Sequence, residues 1–197
     1  MRYLPTALVH CLTFAICLTP RGALGGQSLP KGPETFSANA QVLGQDASAT
    51  AMVTIRIEHY ISEGDRTKML DGLKFGGYPG FLPVFRKAPE IGSVEMNGRK
   101  VVARWAHQVP TSNGGRTISV VTDGPLFFVG GGSVDSKPRA GFDLAILLFD
   151  VNSTGVGTGT MAAAARVRPG GPTGVQIDDY SEKPVKLVTV ERAPLPV

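Results

Sequence analysis

The sequence predicts a mainly β protein, a single antiparallel sandwich or barrel of about nine strands with one short amphipathic helix over residues 63–75 packed on it. Short apolar segments separated by glycine, asparagine and proline follow one another along most of the chain. Strands do not alternate with helices, which excludes the Rossmann-type and P-loop architectures. With 197 residues, one hydrophobic core is large enough to stabilise a single domain without disulfides.

The first two strands are predicted at residues 34–43 and 52–61, and the second has the strongest strand pattern in the chain. Its alternate positions are apolar or histidine, so one face is predicted to point to the core. That face carries Val53, Ile55, Ile57, His59 and Ile61.

A β-hairpin is predicted at Asn97-Gly98, because this dipeptide readily adopts the positive φ angles of a two-residue turn. Residues 94–96 lead into the turn, and residues 100–109 return from it. One face of the return strand is predicted to carry Val101, Ala103, Trp105, His107 and Val109.

The remaining strands are predicted at residues 117–122, 126–129, 142–151, 158–168, 174–180 and 185–191. The segment 142–151, FDLAILLFDV, is apolar at almost every position and is expected to be covered on both faces. The alanines of 161–167 either allow close packing of a helix or a second sheet, or leave room for a ligand.

The helix is predicted to begin after Ser62, which forms a capping-box-like pair with Asp65. Apolar side chains follow at helical spacing. Gly76-Gly77 is expected to end the helix, because glycine readily takes the left-handed conformation of a helix terminus. The proline-rich segment 78–92 is predicted to be a packed irregular loop.

Residues 1–25 are predicted to be a secretory signal peptide, in which Arg2 precedes an apolar run of about 12 residues. The run is shorter than the roughly 20 residues of a membrane-spanning helix. We therefore expect export to the periplasm or the exterior without a stable membrane span, with an uncleaved anchor as the alternative. Residues 26–33 are predicted to be a flexible linker, 34–192 a single β-rich domain and 193–197 a tail.

Cysteine usage indicates the cellular compartment in which the protein is expected, and the charge balance limits the expected classes of partner. Cys11 and Cys17 both lie in the predicted signal, so the mature chain would have no thiol for a disulfide or a metal site. A cysteine-free exported domain is typical of bacteria. Without Arg2 and Arg21, 18 basic residues face 16 acidic ones. Nucleic acid is not an expected partner, because no basic run with interleaved aromatic residues occurs.

The segment 124–132, GPLFFVGGG, has three glycines that could suggest a phosphate-binding loop. Neither a helix pattern nor the lysine of such a loop follows them, so nucleotide binding is not expected. Residues 126–129 are instead predicted to be a strand that ends at the glycines.

His59 and His107 are the only histidines outside the predicted signal, and both are predicted on apolar strand faces. If their strands are neighbours, the two imidazoles and a carboxylate could bind zinc, copper or iron. The alternative is two hydrogen-bonded histidines at the edge of the core. Asp150, Asn152 and Thr154 have the spacing of the first half of a calcium loop, although these residue types also form ordinary turns. No cofactor is predicted.

The function predicted from the sequence is an exported, non-enzymatic binding or interaction domain whose partner is a protein or a small apolar ligand. A β-barrel carrier of a small hydrophobic ligand is the alternative. The second alternative is a metal-dependent enzyme or metal-binding protein that uses the two histidines. The candidate ligand-binding residues are Trp105, His107, His59 and Phe127.

Overall fold

The computed structural model describes residues 29–43, 48–126, 139–181 and 183–194. The predicted signal and residues 127–129 of the predicted strand 126–129 lie outside these ranges. The elements are β1 (Glu34–Leu43), β2 (Ser48–Ile57), α1 (Glu63–Lys87), β3 (Gly92–Met96), β4 (Arg99–Pro110), β5 (Arg116–Thr122), β6 (Leu144–Val151), β7 (Val156–Pro169), β8 (Val175–Tyr180) and β9 (Val185–Arg192).

Eight of the strands close into an antiparallel barrel, which confirms the predicted fold class and selects the barrel over the sandwich. The strands pair in the order β1 to β7, and β7 then pairs with β9, which returns to β1. The long strand β7 pairs with β9 through its first half and with the extra strand β8 through its second half. β8 and β9 therefore lie end to end along one edge of β7.

Alternate side chains of the barrel strands point inward and fill the interior. Phe36 of β1 and Phe149 of β6 meet there edge to face, with ring centroids 5.3 Å apart. Aliphatic side chains from β2, β3, β5, β7 and β9 pack around them in one buried cluster. The interior is thus a packed hydrophobic core of the kind that stabilises a small barrel.

The helix is longer than predicted, because α1 continues from Glu63 to Lys87 instead of ending near residue 75. Gly77, with φ 60° and ψ −162°, interrupts the helical backbone, and a second helical half follows it. Pro79 lies in the first turn of that half, where a missing amide loses no hydrogen bond. The prediction of an irregular loop over 78–92 was therefore wrong for the residues up to Lys87.

Both halves of α1 pack on the outer wall of the barrel and form a second hydrophobic cluster there. Phe81 and Phe85 stack with ring centroids 5.0 Å apart, beside Met69, Leu70 and Leu73. The outward side chains of β6 lie beneath the helix while its inward ones fill the barrel, as predicted for a strand covered on both faces. No helix within the described ranges is long and apolar enough to cross a membrane.

A β-bulge corrects the predicted face of β4. The register with β5 shifts between Ala103 and Trp105, so the alternation of inward and outward side chains changes phase at this point. Ala103 belongs to the barrel core, whereas Trp105 belongs to the cluster under α1. The two side chains do not share a face.

The predicted face of β2 is also shorter than expected. Val53, Ile55 and Ile57 point into the core, but the strand ends at Ile57 and the His59 side chain is exposed. Beyond the strand, the Glu58 amide donates to the Ile91 carbonyl as the chain turns toward α1.

Candidate functional site

A groove of about 570 Å³ lies on the outer wall of the barrel, over β5, β6, β7 and β9. Cross-strand pairing arranges its outward side chains in two rows. One row is Thr117, Asp150 and Thr158, and the other is Leu148, Thr160 and Lys186. Four different strands of a rigid barrel therefore position the groove.

Two glycines of β7 bring its backbone close to that of β6 beneath the groove. A Cβ at Gly157 would lie 1.7 Å from the Asp150 carbonyl oxygen, and one at Gly159 would lie 2.3 Å from the Leu148 carbonyl oxygen. Real Cβ atoms do not approach so closely, so this strand contact requires glycine at both positions.

The groove combines hydrogen-bonding groups, both signs of charge and a limited apolar surface. The Thr117 hydroxyl donates to the Asp150 carboxylate over 2.5 Å, which fixes the acidic side. Lys186, Thr158 and Thr160 are exposed, and Val188 is 39% exposed beside them. Such a surface can bind a chain that presents polar backbone groups together with apolar side chains.

The sequence carries a signal for this groove that the sequence-based prediction missed. Residues 156–160, VGTGT, alternate glycine with threonine. On a strand this alternation places the glycines on one face and the hydroxyls on the other. The neighbouring Lys186 and Asp150 could not be assigned to the same surface, because their strands are joined only by long-range pairing.

Trp105, the first predicted ligand-binding residue, is fully buried between the barrel and α1. Its indole nitrogen donates to the Ser119 hydroxyl over 2.8 Å. The side chain does not line the barrel interior, where the predicted carrier would hold its ligand. Phe127, another predicted ligand-binding residue, lies outside the described residues.

His107 is half-buried on the outer wall, with its ring 6.1 Å from that of Trp105. Burial, and next the Arg66 guanidinium, lower the pKa of His107 below its ordinary value of 6.5, against an opposing effect of Glu63. The His107 Nδ1 atom and the buried Thr173 hydroxyl have no hydrogen-bond partner within the described structure.

His59 lies beside a cavity of about 90 Å³ that Asp65 and Arg104 also line, and His107 is not among the residues that line it. The described residues contain no group of three or more histidine, cysteine, aspartate or glutamate side chains that could hold a metal ion. The structure therefore adds no third ligand to the predicted pair of histidines.

The predicted calcium-loop residues are held by hydrogen bonds within their own turn. The Asn152 side-chain oxygen Oδ1 accepts from the Thr154 amide over 3.0 Å and from the Thr154 hydroxyl over 2.7 Å. It also accepts from the Val156 amide over 3.0 Å. This is the bonding of an Asx turn that joins β6 to β7, and Asp150 faces Thr117 instead.

A buried ionic cluster closes one end of the barrel interior and was not predicted. The Glu34 carboxylate accepts from both terminal nitrogens of Arg116, at 2.5 and 2.8 Å, and from the Tyr60 hydroxyl at 2.6 Å. Gln108 accepts from Arg116 over 2.6 Å and donates to the Pro30 carbonyl, which ties the predicted linker to the barrel.

The ionic cluster fixes the charge of its members. Burial alone would raise the pKa of Glu34, but the hydrogen bonds from Arg116 and Tyr60 outweigh burial and hold the pKa below its ordinary value of 4.5. Burial, and next the bond to Glu34, raise the pKa of Tyr60 far above 10.0. The cluster thus contains a carboxylate, a guanidinium and a neutral phenol, and its members satisfy one another.

Comparison of the chain with models of protein families, with curated proteins and with solved structures gave no match. The geometry of the site is the basis for the functional proposal that follows.

Proposed function

We propose that this protein is an exported binding domain that holds an extended segment of a partner polypeptide in the groove on its outer wall. The observation that carries the proposal is the groove itself, a volume of about 570 Å³ lined by Thr158, Thr160, Lys186, Asp150 and Leu148. The export part of the proposal is supported by the signal-peptide pattern of residues 1–25.

The groove suits a polypeptide segment better than a small apolar molecule. Its hydroxyls can donate to and accept from a peptide backbone, while Val188 and Leu148 offer apolar contact. Lys186 and Asp150 supply opposite charges on the two sides, which would favour one direction of the bound segment. The barrel interior, by contrast, is packed with the protein's own side chains.

A carrier of a small hydrophobic ligand is the second candidate. The observation that favours it is that the interior cluster includes four small side chains, those of Ala40, Ala51, Ala145 and Ala163. Solvent extraction of the purified protein followed by mass spectrometry tests it. Recovery of a stoichiometric apolar compound would support the carrier over the groove.

Photo-crosslinking in the exporting cell tests the groove proposal. A photoreactive residue at Lys186 is compared with one at Lys100, which is also an exposed lysine and lies on an outward position of β4 outside the groove. We expect a discrete protein adduct from position 186 and none of that mass from position 100. The same adducts from both positions, or none from position 186, would contradict the proposal.

Export is tested separately by fusing an alkaline phosphatase that is active only outside the cytoplasm. The full chain is expected to give an active fusion, and the chain without residues 1–25 an inactive one. An inactive full-length fusion would contradict export.

A further inference from the structure

Two arginines approach one aromatic ring at the opposite end of the barrel from the ionic cluster. The guanidinium carbon of Arg139 lies 4.5 Å from the Phe142 ring centroid, and that of Arg166 lies 4.7 Å from it. Phe142 itself is buried, at 5% exposure. Each contact is within the range of a cation–π interaction, so two guanidinium groups share one aromatic ring.

Backbone carbonyls orient both guanidinium groups. Arg139 donates from Nη2 to the Tyr180 carbonyl over 2.7 Å, and Arg166 donates from Nε to the Gly141 carbonyl over 2.9 Å. Gly141 has a φ of 86°, which favours glycine, and a Cβ there would lie 2.7 Å from Nη2 of Arg166, so that the guanidinium would have to shift. A carbonyl fixes the direction of a guanidinium without cancelling its charge.

Neither arginine has a carboxylate partner among the described residues, although carboxylates are close by. Asp179 faces Arg166 across the β7–β8 pair, but its carboxylate accepts from the Tyr180 amide over 2.8 Å. Asp143 is occupied by Tyr78 and Arg86. By contrast, carboxylates pair with six other arginines, namely Arg66, Arg86, Arg104, Arg116, Arg168 and Arg192.

We propose that Arg139 and Arg166 form a binding site for a phosphate monoester or inorganic phosphate. The two guanidinium charges, which form no ion pair among the described residues, match the charge of about −1.5 to −2 that a phosphate monoester carries at neutral pH. Nη1 of both arginines and Nη2 of Arg166 retain N–H donors that can meet phosphate oxygens.

The site is independent of the outer groove. The groove lies on outward positions of β5, β6, β7 and β9, whereas Arg166 follows the half of β7 that pairs with β9. The phosphate site can therefore be present or absent whatever occupies the groove.

Titration of the full-length protein with inorganic phosphate, at constant ionic strength, tests the site through the Arg side-chain signals in an NMR spectrum. We expect saturable shifts in the wild type and an affinity about tenfold lower in R139Q and in R166Q. R166K keeps the positive charge but loses the planar guanidinium with its paired N–H donors, and is expected to bind with intermediate affinity.

The matched control is R168Q, because Arg168 lies two residues further along β7 and already pairs with Asp178 at 3.7 Å. It should bind phosphate like the wild type. Equal loss in R168Q, or no saturable shift in the wild type with phosphate or with vesicles containing phosphatidic acid, would overturn the proposal. Binding to those vesicles but not to free phosphate would assign the phosphate to a lipid headgroup. Thermal unfolding of each variant confirms that it is folded.

Discussion

At the scale of single residues, the Glu34–Arg116 pair connects opposite walls of the barrel. Glu34 begins β1 and Arg116 begins β5, and both side chains are almost fully buried, at 5% and 6% exposure. Removing one member of a buried pair leaves the other charge without compensation in a medium of low polarity. Removal of one partner therefore lowers the stability of the fold. Replacement of both partners by apolar side chains of the same shape need not lower it.

Replacement of Arg116 by leucine is expected to lower the free energy of unfolding by about 3–5 kcal/mol. Urea denaturation measures this change. The control is Asp178→Asn, which breaks the half-exposed pair with Arg168 and should cost less than about 1 kcal/mol. Equal losses of unfolding free energy in the two variants would show that the buried pair contributes no more to stability than the half-exposed one.

The same cluster predicts how stability depends on acid. The pKa of Glu34 is lower in the folded chain than its ordinary value of 4.5, so its ionised form favours folding. This contribution is complete above the unfolded pKa and is lost as the pH falls through the folded pKa. The wild type should therefore lose stability below about pH 4.5 more steeply than Glu34→Gln. Parallel curves of unfolding free energy against pH would refute this assignment.

At the scale of elements, the kink that divides α1 into two helical halves depends on one glycine, Gly77. The φ and ψ angles of Gly77 belong to a region that only glycine populates readily. The two helical halves contact each other at Gly72 and Gly80, since a Cβ at Gly80 would lie 3.1 Å from the Gly72 carbonyl oxygen. Glycine at these positions lets both halves reach the outer wall.

Gly77→Ala is expected to destabilise the protein by about 1–3 kcal/mol, because alanine is strained at these backbone angles. Its neighbour Gly76 is the control. It has no positive φ, and a Cβ there would meet no atom within 4 Å. Gly76→Ala should leave the stability unchanged or raise it by up to about 1 kcal/mol. Chemical denaturation measures the stability of the two variants. Equal effects would contradict the claim that the kink at residue 77 requires glycine.

The extra strand β8 pairs only with β7 in the described part of the chain, and its end is blocked by side chains. The Tyr180 amide donates to the Asp179 carboxylate, and the Tyr180 carbonyl accepts from Arg139. Charges at a sheet edge hinder pairing with another copy.

Asp179→Val is expected to promote self-association, because it frees the Tyr180 amide and raises the strand propensity of the edge. Sedimentation velocity at increasing concentration measures it. Asp178→Val adds the same side chain without freeing that amide and should remain closer to the wild type. Self-association of both variants to the same degree would attribute the effect to hydrophobicity alone.

Local patterns predicted the elements well and their faces less well. The alternation in β2 and the Asn97-Gly98 turn correspond to observed elements, and Asn97 has the positive φ of 51° that such a turn requires. The bulge at Ala103–Trp105 could not be predicted, because it depends on pairing with β5. Nor could the second half of α1, where packing of Phe81 and Phe85 on the barrel outweighs two prolines.

At the scale of the whole molecule, closure of the barrel is the property that the sequence left open. A sandwich and a barrel share the same strands and differ in whether β7 pairs with both β6 and β9. Closure has two consequences for function. It fills the interior with side chains, and it places β5, β6, β7 and β9 side by side, so that residues of four strands line one groove.

The groove likewise could not be assembled from the sequence. Thr117 and Lys186 are separated by much of the chain, and only the pairing of β5 through β9 brings their surfaces together. The threonines could be identified as strand residues, but not as neighbours of a lysine and an aspartate.

The most direct test of the central claim is to block the groove and follow the partner. Thr160→Arg places a long charged side chain in the groove, and Thr50→Arg places the same side chain on an exposed threonine of β2 outside it. In chains that also carry the photoreactive residue at position 186, we expect Thr160→Arg to abolish the partner adduct and Thr50→Arg to preserve it. An adduct that persists unchanged in Thr160→Arg would contradict binding in the groove.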